Sequence, residues 1–246
     1  MRVLILAAGY AVRLRPLTLN TPKPLLPVGG RAIIDRIVDR LDGIGDIDEV
    51  CVITNDRFCK DFESWSGSIE RKVPVTVIND RTTSDDNKRG AIGDLRFFAE
   101  IKGVDDELLV IAGDNIFEFD MEEFLKFGRS HSDGVTIALY DVKDRELAKK
   151  YGVVQIDRST GTTIGFEEKP NDPKTTLVST CVYYFPGGKL RLLDDYITSG
   201  NTMDTPGSFI KWIQDNGAVF GFVFSEDWFD IGSIESYREA DKKYSE

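Results

Sequence analysis

Apolar positions fall in short blocks that alternate with amphipathic stretches along most of the chain. Val3 to Ala8 is a continuous apolar run ended by Gly9, which predicts a strand buried on both faces. Ile33, Ile34, Ile37, Val38 and Leu41 then recur at helical spacing, with Asp35, Arg36, Asp39 and Arg40 opposite and Gly43 and Gly45 as the stop. Glu49 to Thr54 reads as the second strand, so the opening unit is βαβ. A weaker helical stretch near Phe58 to Trp65 leads to a strand over Val73–Asn79 and a polar loop from Asp80 to Leu95. At the end of that loop a helix is predicted over Ala91–Ile101, then a strand over Glu107–Ala112, a helix from Met121 to about Ser132 and a strand over Val135–Tyr140.

From Tyr151 onward the pattern turns β-rich. Gly152–Asp157 and Thr163–Glu167 form a hairpin across Ser159-Thr160-Gly161, and Val178–Phe185 is a further strand. Helices over Leu190–Ser199 and Phe209–Gln214, a last strand over Val219–Phe224 and a terminal helix over Ser233–Lys243 complete the succession. The expected class is α/β, with a Rossmann-like, mixed but mostly parallel central sheet flanked by helices and a small β-rich subregion.

At 246 residues, 41% apolar and 30% charged, the chain has the composition of a globular protein with a substantial core, expected as a single domain over residues 1–246. A net charge of −11 argues against nucleic acid or an anionic membrane as a partner, because the field of the protein repels polyanions. Cys51, Cys59 and Cys181 form no CxxC pair and His131 is the single histidine, read as an exposed residue at a helix end, so neither a zinc site nor a disulfide framework is expected, and core thiols are the default. The chain enters its first strand without a leader and contains no apolar run of membrane-spanning length, which points to a cytoplasmic enzyme.

Against that acidic background, the loop after the first strand stands out. It carries Arg13, Arg15 and Lys23, and no acidic residue precedes Asp35. Ala7, Ala8, Gly9 and Ala11 are small enough for backbone N–H groups to approach an anion, and ligands of open α/β sheets bind beyond the strand tips. Pro16, Pro22, Pro24 and Pro27 stiffen the loop and hold Lys23 extended between two prolines. The expected guest is a polyphosphate, the alternative being an ordinary βα turn with solvated basic residues. Asp114, after Gly113 at the tip of the fourth strand, is placed to hold Mg²⁺, although a GD pair after a strand is common without a metal.

The stretch from Leu6 to Val28 resembles the signature of the sugar nucleotidyltransferases, the pyrophosphorylases that make nucleoside-diphosphate sugars. The match runs through Leu6–Gly9, Arg13, Leu14, Pro16–Thr18 and Pro22–Val28, with Ala11 in place of a glycine and Val12 in place of a threonine. A Cβ at Ala11 means either an ordinary negative φ or a strained loop. Further matches are RGAIGDL (Arg89–Leu95), the GDN of Gly113–Asn115, YGVV followed by EEKP, and WFDIGS (Trp228–Ser233); Thr180 matches a threonine and Cys181 replaces a glycine of a pocket strand. No general base is required, since the second ionisation of a phosphate monoester lies near pH ~6.

The resemblance implies a nucleotide-binding half (1–115) with contacts from Ala8, Gly9, Tyr10, Ala11, Arg13, Lys23 and Gly90. It implies a sugar-phosphate half (116–246) using Gly152, Glu168, Lys169 and Thr180, and no C-terminal β-helix. Mg²⁺ would be held by Asp114 and Asp230, with Arg13, Lys23 and Lys169 completing the catalytic set. The implied reaction joins a nucleoside triphosphate to a sugar 1-phosphate, with dTTP or UTP and glucose 1-phosphate favoured, GTP- or CTP-dependent transfer to another sugar phosphate open, and a homo-oligomer also open. A non-catalytic sugar-nucleotide-binding homologue is the rival from another class. A dehydrogenase is disfavoured, because Gly9 to Leu14 has one glycine where GxGxxG has three.

Overall fold

Residues 1–68, 71–103 and 105–245 are described by a computed structural model. The elements follow as β1 (Arg2–Leu6), β2 (Pro27–Val28), β3 (Arg31–Ala32), α1 (Ile33–Asp39), β4 (Glu49–Thr54), α2 (Cys59–Ser68) and β5 (Val75–Asn79). Next come α3 (Ala91–Lys102), β6 (Leu108–Ala112), β7 (Asn115–Phe117), α4 (Met121–Ser130), β8 (Val135–Asp141) and α5 (Arg145–Ala148). The chain continues with β9 (Gly152–Ile156), β10 (Thr163–Glu168), β11 (Leu177–Phe185), α6 (Leu192–Thr198), α7 (Pro206–Asn216), β12 (Val219–Phe224), β13 (Trp228–Asp230) and α8 (Ile234–Ser245). The fold is mixed α/β, a central and mostly parallel sheet flanked by helices, as the apolar pattern predicts.

The described residues pack as two compact units that interleave in sequence. The first holds Met1–Gly90, Ile111–Glu118 and the C-terminal segment from Asp227. That segment returns because β13 pairs antiparallel with β7, in a register that sets Asp230 opposite Asn115. In this unit β1 and β4 pair in parallel, as do β4 and β5. Val3, Leu4 and Ile5 are fully buried, which is why a continuous apolar run was required of β1.

The second unit holds Ala91–Val110 and Phe119–Glu226. Its β10 and β9 form the expected antiparallel hairpin, β11 pairs antiparallel with β8, and β12 lies parallel on β8. Three expectations need correction. The last strand is β13, not Val219–Phe224, because a three-residue strand has no period to detect. Cys51 alone of the three thiols is buried, while Cys59 and Cys181 are half-buried. His131, expected exposed, is the half-buried cap of α4, its ring 4.4 Å from those of both Phe127 and Phe220.

Candidate functional site: a phosphate loop and paired acids

The first unit brings three of the candidate residues to one place. Gly113 N–H donates to the Leu6 carbonyl at the tip of β1 (2.9 Å), which fixes Asp114 beside the start of the basic loop. Ile231 N–H donates to the Asp114 carbonyl (3.0 Å), and with the β7–β13 register this makes Asp114 and Asp230 neighbours although 116 positions separate them. Lys23 reaches across from the loop. Its Nζ lies 2.7 Å from Asp114 Oδ2 and donates to the Ile231 carbonyl at 2.9 Å. Lys23 is not extended: it opens a 3-10 turn, Lys23–Leu25, in which Pro24 occupies a first-turn position where no N–H is needed.

Between β1 and Lys23 the loop is held from several sides. Asn55 Nδ2 donates to the Ala8 carbonyl (2.9 Å), tying the tip of β4 to the loop. Gly9 is exposed, with open space where a side chain would be, and Tyr10 is buried. Ala11 takes φ 46° and ψ 42°, the left-handed region, so of the two alternatives the loop is the strained one. Its carbonyl is fixed twice, accepting from Leu14 N–H (3.0 Å) and from the buried hydroxyl of Thr18 (2.8 Å). Arg13 and Arg15 are exposed. Gly90 lies in the same unit at φ 75°.

In the second unit Glu168 ends β10 opposite Gly152 of β9. Its carboxyl is enclosed by two glycines: a Cβ at Gly152 would lie 3.1 Å from Oε2, and one at Gly207 would land on that oxygen outright. Burial raises this carboxyl above the usual range, with Lys169 pulling it back. The Lys169 ammonium is 3.7 Å from Glu168 Oε1, on a side chain 57% exposed. Thr180, by contrast, is turned away from any open surface. It is 1% exposed and its hydroxyl donates to the Ala138 carbonyl at 3.0 Å. The amide of Ile92, in the first turn of α3, is likewise spent on the Met203 carbonyl (2.9 Å).

A cationic loop beside two strand-tip acids on adjacent backbone segments suits phosphoryl chemistry, and comparison with known proteins agrees. A family model described as nucleotidyl transferase matches residues 2–246. The chain belongs to the nucleotidyl transferase family. It is 29% identical over 242 residues to the bifunctional protein GlmU of Methanocaldococcus jannaschii, covering 98% of this chain and 54% of that one. The nucleotidyl transferase chain thus spans about half the length of that relative. A candidate glucose-1-phosphate thymidylyltransferase of Bacillus anthracis, solved with sucrose, superposes with a TM-score of 0.84 at 27% identity over 100% of this chain and 96% of that one. An apo UDP-glucose pyrophosphorylase shares the fold alone, with a TM-score of 0.82 at 18% identity over 99% and 97% of the two chains.

Several residues of this nucleotidyl transferase escape sequence reasoning. Asn115, 3% exposed, accepts from Trp228 Nε1 (2.8 Å) and leans on Asp114 Oδ1 (3.4 Å), so it braces both strand tips; its only sequence signal is its place in the GDN triplet. Thr18 and Asn55 act through backbone carbonyls that no local pattern reveals. Cys181, by contrast, is marked in the sequence by its place in a pocket strand; it sits at φ 58° on a bulge of β11, where its sulfur accepts from the buried Tyr183 hydroxyl (3.4 Å).

Proposed function

We propose that this chain joins a nucleoside triphosphate to a sugar 1-phosphate and releases pyrophosphate, with dTTP or UTP and glucose 1-phosphate the favoured pair. Family membership supports nucleotidyl transfer, and the Bacillus anthracis neighbour supports the sugar and base. The observation that carries the reading is the convergence of Lys23, Asp114 and the Asp230–Ile231 segment. Among the described residues no group of three or more His, Cys, Asp or Glu side chains gathers, so a divalent ion held by Asp114 and Asp230 would need substrate phosphates to complete its shell.

Two hard oxygen donors fit Mg²⁺, which is held by one or two carboxylates together with substrate phosphates. The ammonium that rests on Asp114 marks the place as one suited to a cation. When bound by Asp114 and Asp230, the ion would neutralise phosphate charge and orient the reacting groups. Arg13 and Lys23 would bind the triphosphate, and Lys169 the sugar phosphate. An oxygen of the sugar phosphate bonds to the α-phosphorus while the bond from that phosphorus to the bridging oxygen breaks, and pyrophosphate carries the electron pair away. The nucleophile is dianionic at neutral pH and needs no proton acceptor. His131, packed between two phenylalanines, is accordingly not needed.

The test is pyrophosphate release in Mg²⁺ over a grid of nucleoside triphosphates and sugar 1-phosphates. The reading expects the fastest release with dTTP or UTP and glucose 1-phosphate. Nucleotide-sugar binding without release from any pair would overturn it in favour of a non-catalytic binding protein.

A further inference from the structure

We propose that Lys23 makes metal binding conditional on nucleotide: without a triphosphate its ammonium occupies Asp114 and keeps a divalent cation out, and the triphosphate frees that carboxylate by taking the lysine. The inference rests on the metal assignment to Asp114 and Asp230 proposed above. Lys23 Nζ is 2.7 Å from Asp114 Oδ2 and spends a second donor on the Ile231 carbonyl at 2.9 Å. A doubly charged ion on the same carboxylate would meet that ammonium at close contact, where like charges repel strongly in a partly buried setting. The side chain is 14% exposed, so solvent screens the conflict little.

Lys23 has somewhere better to go only when a polyanion arrives. The 3-10 turn pins its backbone, and the charged end swings on a flexible four-carbon stem. Arg13 and Arg15 are exposed on the same loop and meet the incoming phosphates first. Once Lys23 turns to the triphosphate, both acids face an ion that the phosphates also help to hold. Each ligand then strengthens the other, as linkage demands.

Manganese binding to the nucleotide-free chain, followed by electron paramagnetic resonance, tests this without any turnover. Lys23→Gln should bind Mn²⁺ about tenfold more tightly than wild type, and adding Asp114→Asn should abolish the gain. Equal or weaker binding by Lys23→Gln, with Asp114 still required, would overturn the gate and leave the metal site standing. No Asp114-dependent binding in any variant would overturn both. Should Lys23→Gln misfold, the wild type decides by ¹⁵N-lysine resonance: dTTP in EDTA should move the Lys23 signal and Mg²⁺ alone should not. A shift with Mg²⁺ alone contradicts the proposal.

Discussion

Gly113 links the β-sheet to the paired acids, and adding one methyl group there tests that link. An alanine Cβ would lie 2.9 Å from the Leu6 carbonyl oxygen, 3.1 Å from Pro24 Cγ and 3.3 Å from Ile5 Cγ2. Optimal carbon contacts are ~3.5–4.0 Å, so the neighbours must yield by several tenths of an ångström. Two of the three cannot do so cheaply, one being backbone and the other a proline ring in the Lys23 turn. Overpacking of this kind costs about 1–3 kcal/mol. At about 2–4 °C per kcal/mol for chains of this size, Gly113→Ala should lower Tm by roughly 2–12 °C. The Gly113–Leu6 hydrogen bond and Pro24 flank Asp114 and Lys23, so the strain is relieved by moving the groups proposed to hold the metal and the phosphates. A displacement approaching ~1 Å lowers turnover about 100-fold. Differential scanning calorimetry and pyrophosphate release on the same preparation check both halves. Wild-type Tm with wild-type turnover would refute the close-approach argument.

Three further outcomes are expected. Ala11→Gly removes a left-handed cost of about 1–2 kcal/mol and returns about 0.4–1 kcal/mol of unfolded-state entropy, so urea unfolding should find a net gain near 1 kcal/mol or less; a loss would mean that the loop is not strained. Glu168 has a folded pKa raised by burial, so its ionisation costs stability as pH rises from the unfolded value of about 4.3 through the folded one; Glu168→Gln should raise Tm at pH 7 and not at pH 4, and equal gains at both would contradict this. Glu107 is pushed up by burial but held below the usual range overall by hydrogen bonds from Arg129 and Tyr184. Its stabilisation is full above the unfolded carboxylate value and fades as pH falls through the folded one, so Tyr184→Phe should flatten the decline of Tm below pH about 4.3, and an unchanged profile would count against the network.

Much of the scaffold is legible in the chain because burial imposes period. β4 and β12 fall where the apolar runs place them, Glu49–Thr54 and Val219–Phe224, since β4 is buried from Val50 to Thr54 and β12 over its first three residues, where burial leaves little choice of residue. The paired strands β7 and β13 are not legible: each is three residues long, and their partnership spans more than a hundred positions. Lys23 illustrates the boundary. Its charge and loop mark it as a phosphate ligand, but its partners Asp114 and Ile231 lie 91 and 208 positions away, and only the fold brings them together. Ala11 shows the same limit from the other side, because its residue type poses the question of strain and its backbone angles answer it. Thr180 matches a motif yet turns inward, since its hydroxyl finds the Ala138 carbonyl across the sheet.

The central claim is that Asp114 and Asp230 serve as one cation-holding unit in nucleotidyl transfer. A double-mutant cycle on kcat/KM for pyrophosphate release, with Asp114→Asn, Asp230→Asn and both together, measures that directly. Groups acting as a unit are strongly non-additive, so each single change should cost orders of magnitude and the double variant about as much as the worse single. Independent, additive losses, or near-normal turnover in either single variant, would contradict it.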